Sequence, residues 1–199
     1  MDINQIVDGC KSGDRNSQKK LFEMLYGKMI VVVKRYIKDD SLAKDILSES
    51  FIKIFESIKT FEFKGSFEGW ARRVVVNTTI DYIRKNKKSF FLEQVSENNM
   101  EPEAKSAFDS VDISPEECLT VIHSLSPAYR TVFNMRVFEE MTHKDIAESL
   151  GITESTSKAN FSKARVILNN RIIDLVNNRK AEEDSKKELC RVIDTESRR

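Results

Sequence analysis

The chain has 199 residues, with 33 Lys and Arg against 32 Asp and Glu and a net charge of +1, a length that suits one ordinary domain or two small ones. No apolar run reaches the about 18 residues that a membrane helix needs, and the N-terminus lacks the apolar stretch of a signal peptide, so membrane insertion is not expected. Cys10, Cys118 and Cys190 are odd in number, far apart and accompanied only by His123 and His143, a pattern that suggests neither a disulfide framework nor a zinc site and is read as reduced thiols in a cytoplasmic protein.

Gly and Pro are scarce and no alternating stretch is bounded by hairpin turns, so the expected fold is all-α. A first helix is expected over about 16–37, with Phe22, Leu25, Tyr26, Met29, Val33, Tyr36 and Ile37 on one stripe. A second follows Asp40 or Ser41 as cap and turns Leu47, Phe51, Ile54, Phe55 and Ile58 inward. A loop through Phe61, Phe63, Lys64 and Gly65 then leads to Ser66, the expected cap of a helix over 67–85. That helix carries an apolar line, Val76, Ile80 and Ile83, that closes a three-helix core. Its second line, Arg73, Asn77, Asp81, Arg84 and Lys88, is polar, mainly basic and faces outward.

The near-neutral total hides a segregation of charge. Residues 72–88 hold Arg72, Arg73, Arg84, Lys85, Lys87 and Lys88 against Asp81 alone, whereas 89–117 hold Glu93, Glu97, Glu101, Glu103, Asp109, Asp112, Glu116 and Glu117 against Lys105 alone. The stretch 89–113 has no steady period and reads as a flexible acidic linker. At about 3.3 Å per residue it reaches roughly 80 Å, more than two turns of duplex at about 34 Å each. The expected organisation is therefore two small helical domains, 1–88 and 114–177, joined by the 89–113 linker and followed by a charged tail, 178–199.

The second domain opens on Ser114, Pro115 and Glu117, which supply a cap, a first-turn proline and a capping-box glutamate. Ser126 and Pro127 repeat the start signal for a helix through Val132, Met135 and Phe138. Thr142 caps a short helix over 143–150, with Asp145 in its first turn, and Gly151 ends it where a left-handed backbone favours glycine. Ile152 plugs the turn and Thr153 caps a longer helix reaching to about Leu175. The small Ala147, Gly151 and Ile152 together make a helix-turn-helix. On its second helix Phe161, Ala164 and Leu168 share a core face, while Ser155, Lys158, Ala159, Ser162 and Lys163 share a face suited to a major groove. The plain alternative for that face is an ordinary wet surface on a helical hairpin.

Residues 43–55 (AKDILSESFIKIF), 65–85 (GSFEGWARRVVVNTTIDYIRK) and 125–165, in this order and spacing, resemble an extracytoplasmic-function sigma factor. The resemblance implies a protein that binds core RNA polymerase and directs it to promoter DNA, with an anti-sigma factor among its partners, no cofactor and no catalytic residues. It implies that Asp45, Ser48, Glu49 and Lys53 meet the polymerase clamp, with Ser48 departing from the usual glutamine. It places promoter melting on 61–70, where Phe63, Phe67 and Trp70 line or frame a pocket for an extruded base. A core role for Trp70 is favoured. Arg73, Asn77, Arg84 and Lys88 then track the minus-ten element, while Ser155, Lys158, Ala159, Ser162 and Lys163 take the minus-thirty-five major groove. Two departures, Ser157 for a buried valine and Asn160 for an arginine, are expected to loosen packing and to alter promoter preference. The acidic linker is expected to follow basic polymerase channels, although any flexible linker is rich in such residues.

A one-domain regulator would use the same helix-turn-helix without the N-terminal unit or polymerase. An enzyme is not expected, since no phosphate-cradling glycine loop or repeated metal-ligand spacing is present. A further expectation is that the free chain holds its domains together, or in an anti-sigma partner, and so binds promoters weakly.

Overall fold

The computed structural model describes residues 2–86 and 113–196, with side chains as far as Ala181, and these residues form helices joined by turns with no strand. The acidic linker up to residue 112 and Lys88 lie outside the described residues. No helix among them is long and apolar enough to cross a membrane.

Among the described residues the first unit has four α-helices rather than three. Helix α1, Ile3–Lys11, opens on a capping box between Asp2 and Gln5 and buries Ile6, Val7 and Cys10. Three apolar side chains in a short polar stretch left little periodic signal for it. Asp14 starts α2, Arg15–Tyr36, by accepting hydrogen bonds from the backbone amides of Asn16 and Ser17. The core stripe of α2 is Leu21, Leu25, Met29, Val32, Val33 and Tyr36. Phe22, expected inside, is 38% exposed and rests its ring on Phe51 at 4.6 Å and Tyr26 at 5.3 Å.

Helix α3, Asp40–Ser57, is capped by neither expected residue but by Asp39, whose carboxylate accepts from the Leu42 amide at 2.7 Å. Asp40 instead lies in the first helical turn, where its charge suits the helix dipole, and pairs with Lys34 at 2.8 Å. After a short 3-10 turn, Ile58–Thr60, Ser66 caps α4, Phe67–Lys85, as expected.

In the second unit, α5 (Pro115–His123) begins with the expected Ser114–Glu117 capping box. Helix α6 (Pro127–Val137) follows Ser126, whose hydroxyl makes no cap bond and is buried without a partner, so the proline carries that start signal alone. Helix α7 (His143–Leu150) opens on a Thr142–Asp145 capping box and ends at Gly151, left-handed with φ 63° and ψ 45°. Helix α8 runs from Glu154 to Glu196, well past the expected end near Leu175 and through most of the charged tail.

Val121, Ile122, Leu125, Tyr129, Phe133, Ala164, Leu168 and Ile172 form the core of the second unit. Val132, Met135, Ile146 and Leu150 do not belong to it. They join the core of the first unit, so the two units share one hydrophobic interior. Full burial of such a side chain is worth roughly 1.5–3 kcal/mol, and the units therefore hold each other.

A polar clasp completes this junction at the end of α2. The carbonyls of the last helical turn have no intrahelical donors. The Val33 carbonyl accepts from the Ile37 amide at 3.0 Å. The second unit supplies the rest: His123 Nε2 donates to the Lys34 carbonyl at 2.6 Å, Asn134 Nδ2 to Arg35 at 2.7 Å, and Arg130 Nε to Tyr36 at 3.0 Å. Burial, together with the charges of Arg130, Lys38 and Lys34, holds His123 below its ordinary pKa, against the opposing pull of its hydrogen bond to the Lys34 carbonyl. Beside it, Glu139 pairs with Arg35 at 3.5 Å and Arg72 at 3.1 Å, and Arg72 also donates to the Phe138 carbonyl at 2.8 Å. The Tyr36 phenol is buried next to this cluster, and its pKa is raised by that burial and by the Glu139 charge.

Candidate nucleic-acid interface

The helix-turn-helix is built by local signals. Gly151 allows the chain to reverse, the Ile152 amide closes on the Ala147 carbonyl at 3.1 Å, and Thr153 Oγ1 accepts from the Thr156 amide at 3.1 Å to start α8. Ser157, Asn160, Ala164 and Leu168 then fall on the buried side of α8, which leaves Ser155, Lys158, Ala159, Ser162 and Lys163 exposed together on the other. Lys158 is paired with Glu154 at 2.7 Å one turn earlier, and Lys163 lies 6.0 Å from the Tyr129 ring centroid. The result is a polar, cationic ridge with a small residue, Ala159, at its middle. Such a ridge can approach a groove closely while its lysines meet phosphates.

Both departures on this helix are explained by burial. Ser157 is fully buried, and its hydroxyl is hydrogen-bonded to His143 Nδ1 at 3.0 Å, while the His143 ring meets the Phe161 ring edge-on at 5.6 Å. Burial lowers the His143 pKa, followed in effect by Arg136 and Lys158. A polar tie between α7 and α8 thus stands where loosened packing was expected. Asn160 is 7% exposed, with its amide nitrogen unpartnered, and it faces the interior rather than the groove side. Asn160 was expected to alter promoter preference, and at this position no side chain is presented on the groove side.

The second surface is aromatic. Phe61, Phe63, Phe67 and Trp70 form a continuous cluster, with ring centroids of Phe61 lying 5.1 Å from Phe63, 5.1 Å from Phe67 and 5.6 Å from Trp70. Within it only Phe63 is well exposed, at 40%, whereas Phe67 is 4% exposed and Trp70 is half-buried. Phe67 was expected to line or frame a base pocket, but it lies beneath the cluster and supports it. Its position as the first residue of α4, facing the core next to Phe61, decides this. Phe63 holds a left-handed backbone, φ 58°, and Lys11 of α1 covers its ring with the ammonium 4.3 Å from the centroid.

From this cluster the outer face of α4 continues with Arg73, Asn77 and Arg84, all exposed. Arg84 is paired with Asp81 at 2.8 Å. Arg72, in the same basic stretch, is turned toward the second unit instead.

The third surface is on α3. Asp45, Ser48 and Glu49 are exposed and Lys53 is half-buried, with Glu49 and Lys53 paired at 2.8 Å. The Ser48 hydroxyl donates back to the Lys44 carbonyl at 2.8 Å, so this short side chain offers less outward reach than a glutamine. Ile52 stands among these residues with 58% exposure. Sequence reasoning passed over it, although its position off the stripe of Leu47, Phe51, Ile54 and Ile58 marks it as outward. Lys11 and Arg72 were missed as well, because their partners lie far along the chain.

The chain matches the family model described as Sigma-70 region 2 over residues 21–89 and the one described as Sigma-70, region 4 over residues 116–168. It is 25% identical to the ECF RNA polymerase sigma factor SigW of Bacillus subtilis, over 88% of this chain and 99% of that one. It is 26% identical to the ECF RNA polymerase sigma-E factor of Haemophilus influenzae, over 86% and 95% of the two chains. A solved structure of the sigma factor RpoE with the anti-sigma factor NepR from Bartonella quintana matches with a TM-score of 0.45 at 16% identity, over 77% of this chain and 95% of that one.

Proposed function

The chain belongs to the sigma-70 family as an extracytoplasmic-function sigma factor, and from that premise we propose that it binds core RNA polymerase in the cytoplasm and directs it to promoter DNA. The observation that carries this is the presence, on one chain and in this order, of an aromatic and basic surface on the region 2 unit and a helix-turn-helix ridge on the region 4 unit. A stand-alone regulator needs only the second of these.

In this proposal Ser155, Lys158, Ala159, Ser162 and Lys163 enter the major groove of the minus-thirty-five element. The lysines supply phosphate contacts, and the small residues set the depth of approach. Arg73, Asn77, Arg84 and Lys88 follow the minus-ten duplex. Phe63 receives a base extruded from it, and Phe61, Phe67 and Trp70 back the receiving ring. Taking a base from the stack costs a few kcal/mol, and an aromatic platform returns about 1–3 kcal/mol by stacking. Asp45, Ser48, Glu49 and Lys53 are assigned to the polymerase, with Ile52 as an apolar contact on that face. The acidic linker is assigned to basic polymerase channels.

The clasp between the units supports the further view that the free protein binds promoters weakly. It fixes the separation of the two DNA surfaces and ties Arg72, next to Arg73, to Glu139. Polymerase opens the clasp, and an anti-sigma factor is the partner expected to oppose that step.

The test is transcription of genomic DNA from the source cell by its core polymerase, with and without the purified chain, alongside gel shifts with and without core. New start sites that require both proteins are expected. Failure to direct core to any start site would refute the proposal, and tight operator binding without core would favour the stand-alone regulator.

A further inference from the structure

The exposed ring of the aromatic cluster stands on a backbone that does not hold itself. Phe63 adopts φ 58°, a conformation side-chain-bearing residues rarely take and keep only when their surroundings enforce it. Its neighbour Phe61 is buried at the end of the 3-10 turn, but Phe63 itself lies in a solvent-facing loop. One side chain reaches both residues. The Lys11 ammonium donates to the Phe61 carbonyl at 2.6 Å and sits 4.3 Å from the Phe63 ring centroid. An ammonium has three donors in a compact head, so it can bind the carbonyl and face the ring at once.

The placement of Lys11 is itself built in. It is the last residue of α1, a helix seated by Ile6, Val7 and Cys10 in the core and held close against α2 at Gly9. Burial of those side chains fixes the end of α1, and the end of α1 fixes the ammonium over the loop.

We propose that Lys11 is a positioning residue for promoter opening: by binding the Phe61 carbonyl and the Phe63 ring it locks the loop in the conformation that presents Phe63 to an extruded base. This rests on the assignment of Phe63 to base capture. The α1 helix acquires a role in DNA melting although the elements it chiefly packs against are α2 and the 3-10 turn. Without the lock the ring is present but no longer held out, so strand opening slows while initial promoter binding persists.

The experiment uses the full chain with core polymerase on the strongest promoter found by genomic transcription, as an intact duplex and as a template mismatched across the minus-ten element. Lys11→Met keeps the aliphatic stem and removes the donors and charge, Lys11→Arg keeps both, and Phe63→Ala removes the ring. Permanganate reactivity of unpaired thymines reports opening, run-off transcript reports output, and thermal midpoints report folding. Removing the cation–π interaction and the charge-assisted hydrogen bond predicts about tenfold slower opening by Lys11→Met on duplex, with near-native output on the mismatched template and near-native behaviour of Lys11→Arg. If Phe63→Ala slows opening and Lys11→Met does not, the positioning role is wrong while base capture stands. If Phe63→Ala leaves opening unchanged, base capture fails and the positioning role goes with it. Equal loss by Lys11→Met on both templates, with a lowered midpoint and no rescue by arginine, would show a purely structural lysine and overturn the inference.

Discussion

At Gly9 a missing side chain decides how closely two helices approach. A Cβ placed there would lie 2.2 Å from Ser17 Oγ and 2.8 Å from Ser17 Cβ, and Ser17 is buried and hydrogen-bonded to Asp14 at 2.6 Å. Neither atom is the free end of a flexible chain, so Gly9→Ala must push α1 from α2. We expect a loss of about 1–3 kcal/mol, read as a lowered thermal midpoint; an unchanged midpoint would mean that α1 slides without cost. The lysines of the ridge act through charge rather than fit. Replacing Lys158 and Lys163 together by alanine is expected to reduce polymerase-dependent transcription and to lower the salt slope of promoter binding by about 2, one for each phosphate that is no longer neutralised. Unaltered output and slope would remove both from the DNA surface. These five ridge residues were legible in the sequence, because helical period alone separates them from Phe161, Ala164 and Leu168. Phe67 was not placed correctly, since an aromatic residue at a helix start reads the same whether it points into the core or out of it.

Among elements, α8 shows where periodicity stops being informative. Past Leu175 its sequence is mainly polar and charged, mixed in sign, yet the helix continues to Glu196. One tie along that extension is the ion pair of Arg179 with Glu117 of α5. The Arg179 hydrogen bond, followed by those from Ser114, holds the Glu117 carboxyl at about 2, below the ordinary 4.5. A depressed carboxyl contributes stability that is fully present above its unfolded value and is lost as pH falls through the folded one. Native protein should therefore lose stability faster than Glu117→Gln as pH drops from 4.5 toward about 2. Thermal midpoints across that range provide the measurement, and parallel curves would show that the pair contributes nothing. The other helix ends follow short-range rules: Ser66, Ser114, Thr142 and Gly151 were each legible because a cap acts on amides or carbonyls within a turn of itself. Asp39 displaced the expected Asp40 for a reason of one residue's phase, since adjacent acids at a helix start offer the same chemistry.

For the whole molecule the clasp is the decisive feature. Asn134 lies 2.7 Å from the Arg35 carbonyl, and Glu139, 12% exposed in its side chain, bridges Arg35 and Arg72 across the units. Truncating Asn134 to alanine leaves a part-buried carbonyl without its donor, at a cost of about 1 kcal/mol. Combined with Glu139→Gln, it should shift the free protein toward separated units, seen as a larger radius of gyration in solution scattering and as stronger promoter binding without core polymerase. A radius unchanged beside stronger binding would separate promoter affinity from the opening of the clasp. The shared core argues against testing this by cutting the chain in two, because Val132, Met135, Ile146 and Leu150 would be left without their cover.

By itself the sequence determined the all-helical class, two helical units, the helix-turn-helix with its exposed ridge, and the aromatic loop. All of these arise from interactions within a few residues or from a period of 3.6, and such signals survive in a linear string. Only the tertiary structure decided that the units close on each other, that Lys11 reaches Phe61 and Phe63, and that Arg72 faces Glu139. Those contacts join positions far apart in the chain. Many of them end on backbone carbonyls, which every residue carries alike and which no side-chain pattern can mark.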